Sequence, residues 1–377
     1  MIIKGAIIGC GRISHKHVDA FIANDSNMKL IGCCDIVYER ASEIKEEYLN
    51  KLEKNNLKPF YPVETYKDYK EMIKKIKPDF VVVSTESGYH PQITIEALSL
   101  GVHVICEKPM ALSISDADRM IEASKKYNKL LCVSFQNRFN KPIQLLKNAI
   151  NQGRFGKLLY GVANIRWNRG MDYYKQAPWR GTWELDGGTL MNQCTHNIDL
   201  LQWIMGEDPN EVYGVTKRYL REIEAEDFGA AIIKFKSGAV GIIEGTADIF
   251  PKNLEETLFV SGEKATVKIG GLAVNKIENW RFSDADKYGD YEEKVIGEGY
   301  NLEDKDFQAV YGFGHTPLYK NFYDALVNNG KLLIDGEAGK KALEIILAIY
   351  KSSKIGKPVK LPLKNFSTLN MKYIFDK

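Results

Sequence analysis

Residues 1–136 constrain the fold most, because short continuous apolar runs alternate there with helical patterns. IIKGAIIG, KLIGCCD, DFVVVST, HVICEK and LLCVSFQ read as strands, and Ile13–Asn24, Tyr38–Asn50, Pro91–Leu100 and Ser113–Tyr127 carry helical periodicity between them. Strands that stay apolar rather than alternating are covered on both faces, which predicts βαβ units and a parallel sheet. After Gln136 the strands lengthen and alternate: LLYGVANIRWNR, VYGVTKRYL, FGAAIIKFKSGAVGIIEGTAD and ETLFVSGEKATVKIGG. The Lys-Ser-Gly of KFKSGAVG signals a hairpin. This half predicts a mostly antiparallel sheet. The helix near 187–201 and a late helix over Pro317–Asn328 should pack on one face of it, and a closing helix is expected over Glu337–Ser352.

The whole chain of 377 residues is long enough for two domains at roughly 150 residues each. The predicted class is α/β: an N-terminal Rossmann domain (1–134) on a doubly wound parallel sheet, then a C-terminal α+β domain (135–377) on an open, mostly antiparallel sheet. Lys and Arg number 52 against 49 Asp and Glu, and the charges are interspersed, so neither nucleic acid nor membrane is expected as a partner. No apolar run approaches the ~20 residues of a spanning helix, and strand-like residues begin at Ile2, so no leader is expected. The six cysteines form no CxxC, which suits reduced thiols in a cytoplasmic protein.

GAIIGCGRISHKH sets Gly9, Gly11 and Ser14 as GxGxxS between the first strand and the first helix. The glycines permit a tight turn and close approach of backbone to a pyrophosphate resting on a helix N-terminus. Asp35 ends the next strand at about the ~20-residue distance expected of a ribose-binding carboxylate, which favours NAD over NADP. The rival reading is a tight βα turn with a surface Asp. His15 and His17 stand two apart, point in different directions on a helix and are joined by no Cys or carboxylate cluster, so no metal is expected.

Glu107-Lys108-Pro109 follows a buried strand at the sheet edge where doubly wound folds bind ligands. A lysine aimed into an apolar crevice is costly without a use, although the triplet also reads as a surface turn. In GGTLMNQCTHNIDLL, Met191, Cys194, Ile198 and Leu201 form an apolar stripe, and Asn192, His196 and Asp199 form a polar one beside it. His315 opens a helix after YGFGH, where it reads either as closing the substrate side or as an N-terminal cap.

These motifs resemble the glucose-fructose oxidoreductase, inositol dehydrogenase and rhizopine-catabolism (Gfo/Idh/MocA) family, through GCGRIS, CD at 34–35, STESGYH, CEKPM, QNRF, the GG…H.ID helix and KSGAVG. The resemblance implies a nicotinamide cofactor, a catalytic pair matching Lys108 and His196, and a homo-oligomer, tetramer or dimer, built on the exposed sheet face. It implies cofactor contacts from Ser84, Thr85 and His90, and adds Arg12, Ile13, Glu107, Gln136, Trp179 and Arg180 to the cofactor side. A neutral imidazole near pKa ~6.5 suits proton removal from an alcohol, and Lys108 would stabilise the developing alkoxide. Asn192 stands where the family carries Asp, so it should position substrate rather than take a proton.

QNRFN, RWNRGMDYYKQAPWRGTWELDGG and IEAEDFGAAIIKF are similar to the subgroup that oxidises UDP-N-acetyl-2-amino-2-deoxyglucuronate at its 3-hydroxyl, for surface polysaccharide sugars. Arg138, Arg166, Arg169 and Arg180, interleaved with Trp167, Tyr174 and Trp179, suit an anionic nucleotide sugar. Each arginine taken alone also reads as a solvated strand end or a subunit salt bridge. Arg138, Arg166, Tyr174, Asn192 and His315 join Lys108 and His196 as expected substrate contacts. The rivals are a dehydrogenase of a free polyol such as inositol and a non-catalytic dinucleotide-sensing regulator.

Overall fold

A computed structural model of the chain describes residues 1–297 and 314–376. They form two compact units: Met1–Ala111, Ser115–Phe135 and His315–Lys340 make the first, and Leu112–Ile114, Gln136–Gly314 and Lys341–Lys377 the second.

The first unit holds a six-stranded sheet of β1 (Ile3–Ile8), β2 (Met28–Cys34), β3 (Glu64–Tyr66), β4 (Phe80–Val83), β5 (His103–Cys106) and β6 (Leu131–Val133). Their order is β3-β2-β1-β4-β5-β6, and every pair is parallel. This is the doubly wound order in which ligands bind at the carboxyl ends of β1 and β4, where the strand sequence reverses. All of β2 and β4 is buried, which is why their sequences are apolar without alternation. β3 and the helix Tyr69–Ile76 have no counterpart in the sequence reading; that helix starts at Asp68, whose carboxylate accepts the N–H of Lys70 at 2.7 Å and Glu71 at 3.0 Å.

The late helix, His315–Val327, belongs to this unit and not to the antiparallel sheet. Its stripe of Leu318, Tyr319 and Phe322 shows that one face is buried but not what buries it. Here Tyr319 meets Phe21 edge-on at 5.3 Å, and Phe322 lies 5.2 Å from Phe80. The GFG turn expected before it includes residues 312 and 313, which lie outside the described residues.

The second unit is built on β7 (Leu158–Arg166), β8 (Pro209–Lys217), β9 (Phe228–Phe235), β10 (Val240–Thr246), β11 (Glu255–Gly262), β12 (Ala265–Gly270), β13 (Lys276–Phe282) and β14 (Val359–Lys360). The order is β13-β12-β11-β7-β10-β9-β8-β14, antiparallel except for β7 beside β10. The Lys-Ser-Gly turn joins β9 to β10, with Gly238 at φ 89°.

Gly161, Ala163 and Ile165 of β7 point to the face covered by the helix Thr195–Met205: a Cβ on Gly161 would stand 2.8 Å from Leu201. Val162, Asn164 and Arg166 therefore point to the other face. On that face one residue from each of five strands falls in register, Tyr213–Ile232–Ile242–Val162–Phe259. Tyr213 is 44% exposed and Ile232 49%, so the row is apolar and open.

Gly5 fixes the distance between β1 and the aromatic layer, because a Cβ there would lie 2.5 Å from Phe80 and 2.6 Å from Phe21. Gly5→Ala is expected to lose about 1–3 kcal/mol by overpacking, read as a lowered thermal midpoint; an unchanged midpoint would contradict the aromatic packing.

Candidate functional site

In the first unit the glycine loop has the geometry of a dinucleotide cradle. Gly9 adopts φ 91°, and a Cβ there would sit 2.7 Å from the backbone of Ser84 and Thr85. Ser84 Oγ donates to Gly9 O at 2.7 Å, so the loop after β4 is sewn to the glycine loop. A Cβ at Gly11, by contrast, would meet nothing within 4 Å. That open space lies at the start of the helix Ser14–Ala23, where the positive end of the helix dipole favours an anion. Ser14, standing where a third glycine is usual, is fully buried and donates its hydroxyl to Gly11 O.

Asp35 ends β2 with one carboxylate oxygen accepting Cys10 N–H and the other Val37 N–H, both at 2.8 Å. It thus shapes the glycine loop while keeping lone pairs for a ribose diol. These residues fit an NAD adenosine and pyrophosphate: Gly9, Gly11, Arg12 and Ile13 would line the pyrophosphate turn, and Asp35 would meet the ribose.

Lys108 follows β5, half-buried, with Pro109 after it in a cis peptide. Glu107 is buried, and its Oε1 lies 3.2 Å from His17 Nε2 and 3.5 Å from His315 Nε2. Burial alone would raise this carboxyl, but the two imidazoles outweigh it and hold Glu107 well below the usual range. His315, expected at the substrate, is 3% exposed and engaged in this cluster. His90, expected at the cofactor, is 1% exposed and has Pro109 O at 2.8 Å from Nδ1 and Thr85 O at 3.0 Å from Nε2. Burial pushes both His90 and His315 toward the neutral ring. His15 pairs with Glu47 and takes no part.

The second unit departs from the flank that the sequence suggested. The segment after Gly187-Gly188 forms two helices, Thr189–Asn192 and Thr195–Met205, broken at Gln193–Cys194, where Cys194 N–H reaches back five residues to Thr189 O. Asn192, His196 and Asp199 therefore find three different partners. Asn192 Nδ2 donates to Asp186, which also accepts Gly181 N–H at 2.6 Å. His196 Nε2 faces the Gln136 amide at 3.4 Å. Asp199 is bound bidentately by Arg138, at 2.8 and 2.6 Å, with both groups at 2% exposure or less.

The arginines separate accordingly. Arg138 is committed to Asp199. Arg166 chelates Glu244 and pairs with Glu255 at 2.6 Å on the open sheet face, opposite the helix that carries His196. Arg169 stacks on Trp167 at 4.5 Å and donates to Asn253 Oδ1 at 3.0 Å. Arg180 lies over Tyr173 at 4.3 Å and Trp179 at 4.7 Å, and it makes no ion pair among the described residues. Tyr173 also accepts from Gln193 at 3.1 Å, while Tyr174 is buried, 5.2 Å from Tyr173 edge to face.

Three residues missed by the sequence reading matter here: Asp186, Tyr173 and Glu226. Asp186 precedes the Gly-Gly turn directly, which was its only local signal. Glu226 has no such signal. Its fully buried carboxyl accepts Leu190 N–H at 2.8 Å and the Tyr350 hydroxyl at 2.9 Å. A Cβ on Gly188 would overlap it at 1.4 Å, so this glycine is explained by Glu226 rather than by a nicotinamide.

A sequence-family model described as the oxidoreductase family, NAD-binding Rossmann fold, matches residues 3–135, and one described as the oxidoreductase family, C-terminal alpha/beta domain, matches residues 147–361. Among solved structures, the WlbA dehydrogenase from Bordetella pertussis, in complex with NADH and UDP-GlcNAcA, is 37% identical, with 96% of this chain and 99% of that one covered at a TM-score of 0.82. Myo-inositol 2-dehydrogenase from Thermotoga maritima is 26% identical over 94% of this chain and 97% of its own length. The NAD(+)-dependent scyllo-inositol 2-dehydrogenase from Bacillus subtilis is 23% identical over 97% and 98%.

Burial pushes the Glu226 carboxyl up to about 8, with the Leu190 and Tyr350 hydrogen bonds offsetting part of the rise. The folded chain then keeps a proton that the unfolded chain loses near 4.5, so stability falls as pH rises between these values. Glu226→Gln is expected to remove that slope and gain on the order of 2 kcal/mol at pH 8. Urea midpoints at pH 5 and pH 8 check it: the gap between variant and parent should widen with pH.

Proposed function

The chain belongs to the Gfo/Idh/MocA oxidoreductase family, as an NAD-dependent dehydrogenase acting on a CH–OH group of a sugar or polyol, and from that premise we propose that its substrate is a nucleotide sugar. The reaction assigned is oxidation of the 3-hydroxyl of UDP-N-acetyl-glucosaminuronate for bacterial surface polysaccharide synthesis. The observation that carries this reading is the 37% identity, over 96% of the chain, to a dehydrogenase solved with UDP-GlcNAcA, against 26% and 23% to the inositol dehydrogenases.

Arg180 supports it. A guanidinium stacked between Tyr173 and Trp179, with no ion pair among the described residues, suits a diphosphate or a uronate. Asn192 supports it too, since its amide, already donating to Asp186, presents an oxygen to a substrate hydroxyl without adding a charge. NAD, when bound, accepts the hydride from the oxidised carbon. His196 takes the hydroxyl proton, with Gln136 orienting its ring at Nε2. Lys108 hydrogen-bonds the same hydroxyl and stabilises the charge that develops on its oxygen.

The second element of the reading is a homo-oligomer formed through the open sheet face. The apolar row Tyr213–Ile232–Ile242–Val162–Phe259 supports it, because exposed side chains of this size in one contiguous line are uncommon on a monomer.

Two experiments test these readings. Absorbance of reduced nicotinamide, followed with NAD and a panel of sugars, should rise with UDP-N-acetyl-glucosaminuronate and not with inositol. Free UDP should compete, and His196→Ala should lose at least ~10²-fold in kcat. Turnover of inositol without competition by UDP would instead favour the polyol dehydrogenase. Separately, Ile232→Asp is expected to reduce the oligomer to smaller species in light scattering; an unchanged mass would remove the sheet face from the interface.

A further inference from the structure

Three of the chain's six histidines are buried beside the turn that carries Lys108, and the chemistry above uses none of them. The side chain of Glu107, one residue before the lysine, has the Nε2 atoms of His17 and His315 at 3.2 and 3.5 Å from a single oxygen. The carbonyl of Pro109, one residue after it, lies 2.8 Å from Nδ1 of His90. These imidazoles come from three separate helices, Ser14–Ala23, His315–Val327 and His90–Ser99. The Glu107 N–H is held as well, donating to Val83 O of the neighbouring strand at 2.8 Å.

His17 has its own anchor, with Nδ1 2.9 Å from the Tyr319 hydroxyl. Burial keeps that phenol protonated, and the contact fixes the plane of the His17 ring with its Nε2 toward the carboxylate. We propose that His17, His90 and His315 are positioning residues for Lys108, fixing the peptide on both sides of it through the Glu107 carboxylate and the Pro109 carbonyl. This rests on the reading of Lys108 as a catalytic residue. The physical reason is the length of the side chain. A lysine stem has four rotatable bonds to order, and a displacement of about 1 Å at a reacting group is worth up to ~10² in rate. A backbone clamped on both sides removes the part of that freedom which a four-carbon stem cannot remove for itself.

The test compares His315→Leu and His90→Leu, which delete the contact, with His315→Gln, which keeps an N–H donor near the Nε2 position. The leucine variants are expected to lose about tenfold in kcat. Their KM and their NAD dissociation constant, followed by protein fluorescence, should stay within about twofold, and the isotope effect of substrate deuterated at the oxidised carbon should grow. His315→Gln should recover to within about threefold of the parent. Leucine variants with parental kcat would overturn the proposal, as would a glutamine variant that falls as far as the leucine one, since that marks packing alone. Stoichiometric metal in the purified protein, lost in the histidine variants, would also overturn it, because the Nε2 atoms would then be ligands. Lys108→Met separates the two levels. If that variant turns over normally, the catalytic reading fails; if it is inactive while His315→Leu is not impaired, only the positioning fails.

Discussion

A buried ion pair, Arg138 with Asp199, organises the second unit around His196. The guanidinium binds both carboxylate oxygens, at 2.8 and 2.6 Å, and stacks at 5.0 Å on Trp203, one turn further along the same helix. Its backbone carbonyl accepts from Gln144, which ties down the helix Lys141–Asn151 that follows. The short 3₁₀ turn Gln136–Phe139 is thereby seated on the helix Thr195–Met205, and Gln136 meets His196 because its neighbour is pinned two residues away. Removing either partner would strand a charge in the interior, at a cost of about 3–5 kcal/mol, so the pair cannot loosen without releasing the turn. An arginine that in sequence looks available to a phosphate is spent on architecture.

What was legible in the sequence is local. The doubly wound sheet follows from unbroken apolar strands such as Phe80–Val83, and the phosphate loop from two glycines in front of a helix. Asp35 could be placed because its signal is a distance along the chain. The hairpin at Gly238 needed only a turn motif. What stayed hidden depends on partners remote in sequence. Periodicity shows that His315–Val327 buries a stripe, yet the partners are Phe21 and Phe80, almost three hundred and two hundred and forty residues away. The spacing of Asn192, His196 and Asp199 suggested one helical flank, and the break at Gln193–Cys194 dissolves it. The glycine at 188 carries a meaning that no motif contains, since the atom it makes room for belongs to Glu226.

Alternation along β7 settles a further ambiguity. Arg166 and Ile165 are neighbours in sequence but lie on opposite faces of the sheet, so one faces the helix layer and the other the open row. The carboxylates Glu244 and Glu255 then make Arg166 part of that open surface, next to Ile242 and its cross-strand partners. This face carries paired charges beside exposed apolar side chains. The same strand thus serves the interior with its odd residues and the outside with its even ones.

On the proposed reading, the amide at 192 would discriminate among substrates by electrostatics. An aspartate there would lie against Asp186, and two adjacent carboxylates in a largely buried site raise one another's pKa unless one is protonated. Asn192 removes that conflict by donating to Asp186, whose other oxygen is taken by Gly181 N–H. The amide then offers a neutral acceptor where a carboxylate would present a negative charge. Against a neutral polyol this exchange gains little, because a carboxylate is the stronger acceptor for a hydroxyl. Against a uronate or a diphosphate it would remove a like-charge repulsion. The departure from the family's aspartate and the proposed preference for an anionic sugar would then be two sides of one electrostatic requirement.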